Sequence, residues 1–426
     1  MSTRKHKGNA GRGAGPVSTR NVRRSTRGSG GGTPPTSLPN GAPTPATARL
    51  FGHSLTDSTS TSLDAYDQTR QLRESNDRLQ RQLAQAKAKT SDLVAAVERA
   101  AADAATALRM PASPARPAAR KDSSGDEEKA IIVVSDIQLA KVTPSYSTDV
   151  AERRVAQLAD KVVALTRIQR SDHPVREARV YLLGDIVEGE LIFSHQPWQV
   201  DASLYRQVMV DGPRILTTFL QKMLANFERV HVVGVIGNHG RFGEYKSRYN
   251  PETNADRMLY RFVADLFKNE PRLTWAIPHM KNERAWYAVD YPFGGTDNLR
   301  AEFSQKTGGR IGLKAISGEH HGFLLFHGDQ IRGGGFAGFP FYGTAKRIWG
   351  WRNGAIPEPF QYAIFGHWHT PTRMTLNEIT VWANGTTEST NTYAAEQLAA
   401  CGKPTQLLLF AHPRRGVTAE YWVNLD

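Results

Sequence analysis

Five short segments of this sequence set Asp, Asn, Gln or His beside glycine or beside one another. They are Asp136-Ile137-Gln138, Gly184-Asp185-Ile186-Val187-Glu188, Gly237-Asn238-His239-Gly240, His327-Gly328-Asp329 and Gly366-His367-Trp368-His369. Any one of them alone reads as a turn or a cap, because these residue types bond their own backbone and tolerate unusual dihedrals. Together they form a set of carboxylate, amide and imidazole donors. Mixed oxygen and nitrogen donors of this kind suit divalent Mn, Fe, Zn or similar ions. The single cysteine, Cys401, lies outside all five segments, so the set is not a thiolate structural zinc site.

The segments need elements that bring them together, and the sequence supplies these. Each follows a short apolar run: Ile131–Val134, Val180–Leu183, Val230–Ile236, Phe323–Phe326 and Tyr362–Phe365. Such runs, bounded by Gly and Asp, read as buried strands. Helical spacing separates them over residues 150–170 (Val155, Leu158, Val162, Leu165), 203–226 and 254–267. Later strands are expected at 379–383, 405–411 and 418–423. Alternation of strands and helices predicts an α/β domain, where ligands bind beyond the carboxyl ends of the strands. The glycines let the chain turn sharply there.

In their order and spacing the five segments resemble the calcineurin-like metallophosphoesterase superfamily. Its pattern runs D-x-H, G-D-x-x-[DE], G-N-H-[DE], H-G-D-type and G-H-x-H. The resemblance covers roughly residues 130–425, and within the superfamily it is greatest to the DNA-repair exonucleases and their phage-encoded relatives. It implies a four-layer αββα sandwich with two divalent metal ions in one cleft. Carried across position by position, Asp185 bridges the two ions. Asp136, Gln138 and His369 complete one site, and Asn238, His327 and His367 complete the other. His239 sits beside the phosphate, where it stabilises developing charge or protonates the leaving oxygen. The reaction implied is in-line displacement by an activated water.

Two positions depart from the family pattern. Gln138 stands where a His is usual. A neutral amide oxygen is a harder ligand than imidazole, which moves the expectation toward Mn or Mg, with Fe or Zn as alternatives. Gly240 stands where an acid usually orients the catalytic imidazole, and Glu188 or another carboxylate is the expected substitute.

Around the site, Arg241, Lys246 and Arg248 follow the catalytic histidine directly, and Arg332 lies in a Gly-rich loop after His327. They are candidate contacts to a substrate backbone, against the plainer reading of solvated charge.

The net charge of +13 is unevenly spread: residues 1–56 hold nine Lys and Arg and no acid. Residues 1–63, rich in Gly, Ser, Thr and Pro, are expected to be a disordered tail. It is either a salt-sensitive nucleic-acid tether or a solubilising extension. Residues 64–110 carry heptads with Leu72, Leu79, Ala86, Leu93 and Ala100 in the d positions and Asn76 at an a position, which predicts a short coiled coil and a homodimer. Residues 111–129 read as a Pro/Ala-rich linker, and 130–426 as the metallophosphoesterase domain. No run of about 18 apolar residues predicts a membrane span, and the first residues lack the apolar core of a secretory leader. The expected compartment is the cytoplasm (a host's, for a phage-encoded chain).

The leading expectation is therefore a dinuclear phosphodiesterase acting on DNA. Two alternatives are a phosphomonoesterase acting on a phosphoprotein or small ester, and a non-catalytic coiled-coil scaffold with a vestigial site.

Overall fold

A computed structural model describes residues 126–426, apart from 194–195, 243–250, 279–285, 295–320, 334, 336–337, 392–394 and 397–401, together with 70, 74–78, 80–81, 113–115 and 117. The expected tail, Lys246, Arg248 and Cys401 lie outside the described residues. The chain divides into Met1–Arg81 and Gln82–Asp426. In the first unit the described residues are helical and exposed, with an Arg70 Nε to Glu74 Oε1 pair of 3.3 Å along one face.

Among the described residues, the first regular element of the second unit is β1 (Glu128–Val134), whose apolar run is buried throughout from Ala130. Helix α1 (Thr148–Gln169) opens on Ser147, whose hydroxyl accepts the Val150 N–H at 3.4 Å. It buries Ala151, Val155, Leu158, Ala159, Val162, Val163 and Thr166, one stripe at the 3.6-residue period. Then come β2 (Val175–Leu182), α2 (Gly212–Asn226), β3 (Arg229–Gly234), α3 (Ala255–Leu266) and β4 (Leu273–Ala276). The second half supplies β5 (Tyr287–Asp290), β6 (Phe323–Phe326), α4 (Phe341–Gly350), β7 (Tyr362–Phe365), β8 (Thr372–Leu376), β9 (Ile379–Ala383), β10 (Thr405–His412) and β11 (Gly416–Asn424).

The strands form two sheets. One has the order β11-β10-β1-β2-β3-β4, and the other β5-β6-β7-β9-β8. β1 to β4 are mutually parallel, and so are β6, β7 and β9. Ile131, Val133, Tyr181, Leu183 and Val233 of the first sheet meet Phe323, Leu325, Ile364 and Trp382 of the second in one apolar layer. The outer face of the first sheet is covered by α1, α2 and α3, through residues such as Val155, Leu216 and Leu259. The outer face of the second packs on Ile348 of α4 and on Trp351 just beyond it. This is the four-layer αββα sandwich expected. Alternating residues of β1 go to the two cores, Ile131 and Val133 inward and Ala130, Ile132 and Val134 outward, as the pleat requires.

Four elements go beyond the expected set: β4, β5, β8 and α4. Among the described residues no helix is long and apolar enough to cross a membrane.

Candidate metal centre

Each of the five segments leaves the carboxyl end of a strand. Asp136 and Gln138 follow β1, Asp185 and Glu188 follow β2, and Asn238 and His239 follow β3. His327 and Asp329 follow β6, and His367 and His369 follow β7. The first three strands belong to one sheet and the last two to the other. The segments continue to bond one another after the ladders end. Asp136 N–H donates to the Gly184 carbonyl at 3.1 Å, Gln138 N–H to Asp185 at 2.9 Å, and Gly366 N–H to His327 at 2.7 Å. Between sheets, the His367 N–H donates to Asp136 Oδ1 at 2.9 Å.

The backbone at the site is strained. Asp136, Gln138, Asp185, His367 and His369 all adopt left-handed φ, between 46° and 69°. For non-glycine residues this conformation costs about 1 kcal/mol or more and persists where the surroundings impose it. Gly237 imposes part of it: a Cβ there would lie 2.1 Å from Asp185 Oδ1, so only glycine lets the two loops close.

Asp185, Asn238, His327 and His367 make the first cluster. His327 is fully buried, and its Nδ1 is 2.8 Å from the Leu183 carbonyl, which fixes a proton on that nitrogen. Its Nε2 then faces Asp185 Oδ2 at 2.9 Å, Asn238 Oδ1 at 3.0 Å and His367 Nδ1 at 3.2 Å. Acceptors gathered around one lone pair are satisfied only by a cation or a proton. Consistent with this, burial would lower the His327 pKa, but Asp185 outweighs it and raises it to about 10. Asp185 Oδ2 is buried, facing His327 Nε2 at 2.9 Å and His239 Nε2 at 3.8 Å. Burial and the adjacent His327 hold His367 neutral, well below the usual imidazole range. Ligand atoms of Asp185, His327 and His367 lie within 4.8 Å of one another, and the group fits a divalent ion.

Asp136 and His369 make the second cluster. His369 Nε2 is 3.2 Å from Asp136 Oδ1, and its Nδ1 is 2.7 Å from Glu388 Oε1. A carboxylate behind a ligating imidazole fixes its tautomer and raises its basicity. Against burial, Glu388 and Asp136 raise His369 to about 10.

His239 stands beside both. Its backbone N–H donates to Asp185 Oδ1 at 2.8 Å, and its Nδ1 is 3.1 Å from Glu188 Oε2. Burial opposes the charged ring, yet Glu188 and Asp185 raise its pKa to about 9. Glu188, the carboxylate expected from sequence to stand in for an acid at position 240, is thus the one beside this imidazole. The Phe193 ring lies edge-on to the imidazole, with centroids 5.9 Å apart.

Gln138 is buried at the junction of these groups. Its Oε1 accepts from Lys141 Nζ at 2.7 Å, and its Nε2 lies 3.5 Å from His239 Nε2 and 3.4 Å from His369 Nε2. Lys141 also pairs with Glu388 Oε2 at 2.5 Å.

Of the expected substrate contacts, Arg241 is committed to an ion pair with Asp329, and Arg332 is exposed. Trp351 packs in the core beside α4, whereas Trp349, which the sequence groups with it, is 45% exposed.

Three residues of the site escape motif reading. Asp256, at the start of α3, accepts backbone N–H groups from Asp185, Ile186, Val187 and Gly237 at 2.9–3.2 Å. Its signal in sequence is an Asn254-x-Asp256 that resembles an ordinary helix cap, which Asn254 indeed makes. Glu388 and Lys141 carry no motif at all.

No protein-family model and no curated protein matches the sequence. Solved structures similar to it include a predicted phosphoesterase from Streptococcus pneumoniae, at 12% identity over 69% of this chain and 98% of that one, with a TM-score of 0.24. A novel archaeal phosphodiesterase matches at 10% identity over 69% and 99%, TM-score 0.28. Vps29 with zinc from Entamoeba histolytica matches at 11% identity over 70% and 99%, TM-score 0.26. At these values the residues of the site carry the reading.

Proposed function

We infer that this chain is a calcineurin-like metallophosphoesterase that hydrolyses phosphodiester bonds, with DNA as its substrate. The observation that carries the inference is the convergence of the strand-end segments on one buried centre, where Asp185 Oδ2 lies 2.9 Å from His327 Nε2 and ligand atoms of Asp185, His327 and His367 fall within 4.8 Å of one another. Asp136, Asp185 and His369 would hold one divalent ion, with Gln138 beside it, and Asp185, Asn238, His327 and His367 the other. Such ions supply positive charge to phosphoryl oxygens and lower the pKa of water. Manganese suits the oxygen-rich first group.

The protein's own groups do the rest. Asp185 is held anionic, well below its usual range: burial opposes this, but His327 and His239 outweigh it. His239, oriented through Nδ1 by Glu188, presents Nε2 toward Asp185 Oδ2 at 3.8 Å, and its raised pKa keeps the ring protonated at neutral pH. That proton is available to the leaving oxygen of the ester. A buried, positively charged imidazole also favours the charge that develops on phosphate.

DNA is favoured over a small ester by the basic residues 1–56 and by the segment pattern shared with the DNA-repair exonucleases. The test is hydrolysis with Mn²⁺ of linear double-stranded DNA, single-stranded DNA and p-nitrophenyl mono- and diesters. DNA degradation that disappears in His239→Ala is expected. Activity on the monoester alone would sink the DNA assignment. Metal binding without any hydrolysis would favour a scaffold.

A further inference from the structure

We propose that the exposed face of α4 is a binding strip for single-stranded nucleic acid, in which Tyr342 and Trp349 stack bases and Lys346, between them, takes a backbone phosphate. The strip extends the DNA reading above from the cleft to the surface beside it, and it rests on that reading.

Helix α4 buries little of itself. Only Thr344 and Ile348 are buried, and Ile348 docks the helix on the second sheet. The rest of its surface carries three large aromatic side chains in the open: Phe341 is 44% exposed, Trp349 45% and Tyr342 79%. Single exposed apolar residues are ordinary on a protein surface, but a row of them on one helix calls for an occupant. Tyr342, Lys346 and Trp349 stand four and then three residues apart, which sets them one above another on a single face. Lys346 is exposed between the two rings.

Charge selects the occupant. Residues 330–357 contain Arg332, Lys346, Arg347 and Arg352, and neither Asp nor Glu. Rings with a cation between them and no acid nearby fit a polyanion whose bases can stack. Spacing selects the form of that polyanion. Along the helix axis Tyr342 and Trp349 are about 10 Å apart. Successive bases on one strand of a duplex are only about 3.4 Å apart, and they cover one another's faces. Two separated platforms therefore suit bases that have come out of the stack.

The strip starts beside the cleft. A Cβ on Gly343 would lie 2.2 Å from the Arg332 carbonyl oxygen, so the first turn of α4 rests on the segment that leaves His327. Phe339, two residues before the helix, stacks on Phe365 with ring centroids 6.1 Å apart. Phe365 is the last residue of β7, two before His367. The helix thus begins at the strand ends that carry the candidate metal centre, and Arg332 is exposed on the connecting segment. A strand with its scissile phosphate in the cleft has this face for its flanking nucleotides.

The test uses the full chain with Mn²⁺ and a fluorescein-labelled, phosphorothioate-linked oligothymidylate of about 15 nucleotides, with binding read by anisotropy. Salt of about 0.3 M weakens the electrostatic contribution of the basic residues 1–56 and leaves the stacking. Tyr342→Ala and Trp349→Ala each weaken binding by roughly 5–100-fold, and Trp349→Phe, which keeps a ring, by less than about 3-fold. Lys346→Ala lowers the slope of log affinity against log salt by about 0.7. Hydrolysis of bis-p-nitrophenyl phosphate stays within about 2-fold of the parent in all four, because these side chains are outside the cleft and on the surface. Unchanged affinity in both alanine variants, with hydrolysis intact, would overturn the strip and leave the phosphodiesterase reading standing. Binding that depends on these residues in a parent chain that hydrolyses no ester would support the strip and sink the reading of the cleft. Equal affinity for a duplex of the same length would overturn the single-strand assignment. Cosedimentation with phosphatidylserine vesicles that Trp349→Ala abolishes, or a dimer that it dissociates, would give the face to a membrane or to a second copy and overturn the proposal.

Discussion

Asp256 accepts the backbone N–H of Asp185 at 3.0 Å and so holds, from behind, the residue at the centre of the candidate metal site. Its second oxygen accepts from Ile186 and Val187, and Oδ2 also accepts from Gly237. Two motif loops thus hang on one carboxylate. Burial and the nearby Asp185 raise its pKa to about 6, against the pull of those donors. In Asp256→Asn, an amide NH₂ would be turned against backbone donors. Stability should fall by about 2 kcal/mol or more, and Mn²⁺ affinity by roughly 10–100-fold, although Asp256 touches no metal. Thermal melting in chelator and calorimetry measure the two. Unchanged affinity would show that the loops hold Asp185 without this clamp.

Position 240 is glycine because of its neighbours. A Cβ there would lie 2.8 Å from Asn254 Oδ1, the cap of α3, and 3.0 Å from the Asp256 nitrogen. Restoring the usual acid with Gly240→Asp should therefore destabilise the protein by about 1–3 kcal/mol rather than improve catalysis. Glu188→Gln should lower kcat by roughly 10–100-fold, and adding Gly240→Asp should not restore it. Recovery of kcat in the double variant would contradict the assignment of Glu188 as the group that orients His239.

The imidazoles set the pH behaviour of the metal-free protein. Burial alone would lower His327, His369 and His239, but the carboxylates beside them raise them to about 10, 10 and 9. A raised histidine stabilises the fold fully below its unfolded value of about 6.5 and loses that contribution as pH climbs through the folded value. In chelator, Tm should therefore drop by about 5 °C or more between pH 7 and pH 10. An ion bound at His327 and His369 displaces their protons, so Mn²⁺ affinity should rise over the same window. A Tm in chelator that is flat from pH 7 to 10 would contradict the charged state of these rings.

The strands that carry the site are legible because they are continuous apolar runs. Phe323–Phe326, Tyr362–Phe365 and Ile379–Ala383 match their expected limits residue for residue. β8, Thr372–Leu376, does not announce itself because it is an edge strand with polar residues on its exposed positions. α4 is hidden by its composition: Gly343, Gly350 and several aromatics have poor helix propensity, and only Thr344 and Ile348 are buried. Within the site, the donors that stand in motifs are legible. Asp256, Glu388 and Lys141 are not, because each acts through a partner far away in sequence: Asp256 on residue 185, Glu388 on residue 369 and on Lys141. Arg241 reads from its place in the chain as a cation facing substrate beside the catalytic histidine. Its pairing with Asp329 depends on a loop of the other sheet, which spacing along the chain does not reveal.

The division of the donors between sheets has a consequence for how the chain matures. Asp136, Asp185 and Asn238 come from the sheet built first along the sequence, and the three candidate ligand histidines, His327, His367 and His369, come from the second. The early strands alone offer two carboxylates and an amide, a poor match for a transition metal; the later ones alone offer imidazoles with no carboxylate to bridge them. Even the first sheet is not finished until β10 joins β1, after those three histidines have been made. Tight ion capture at this site would therefore be a late event, open only to a chain whose two halves have already docked, and a metal-loaded molecule would by that fact be a correctly assembled one.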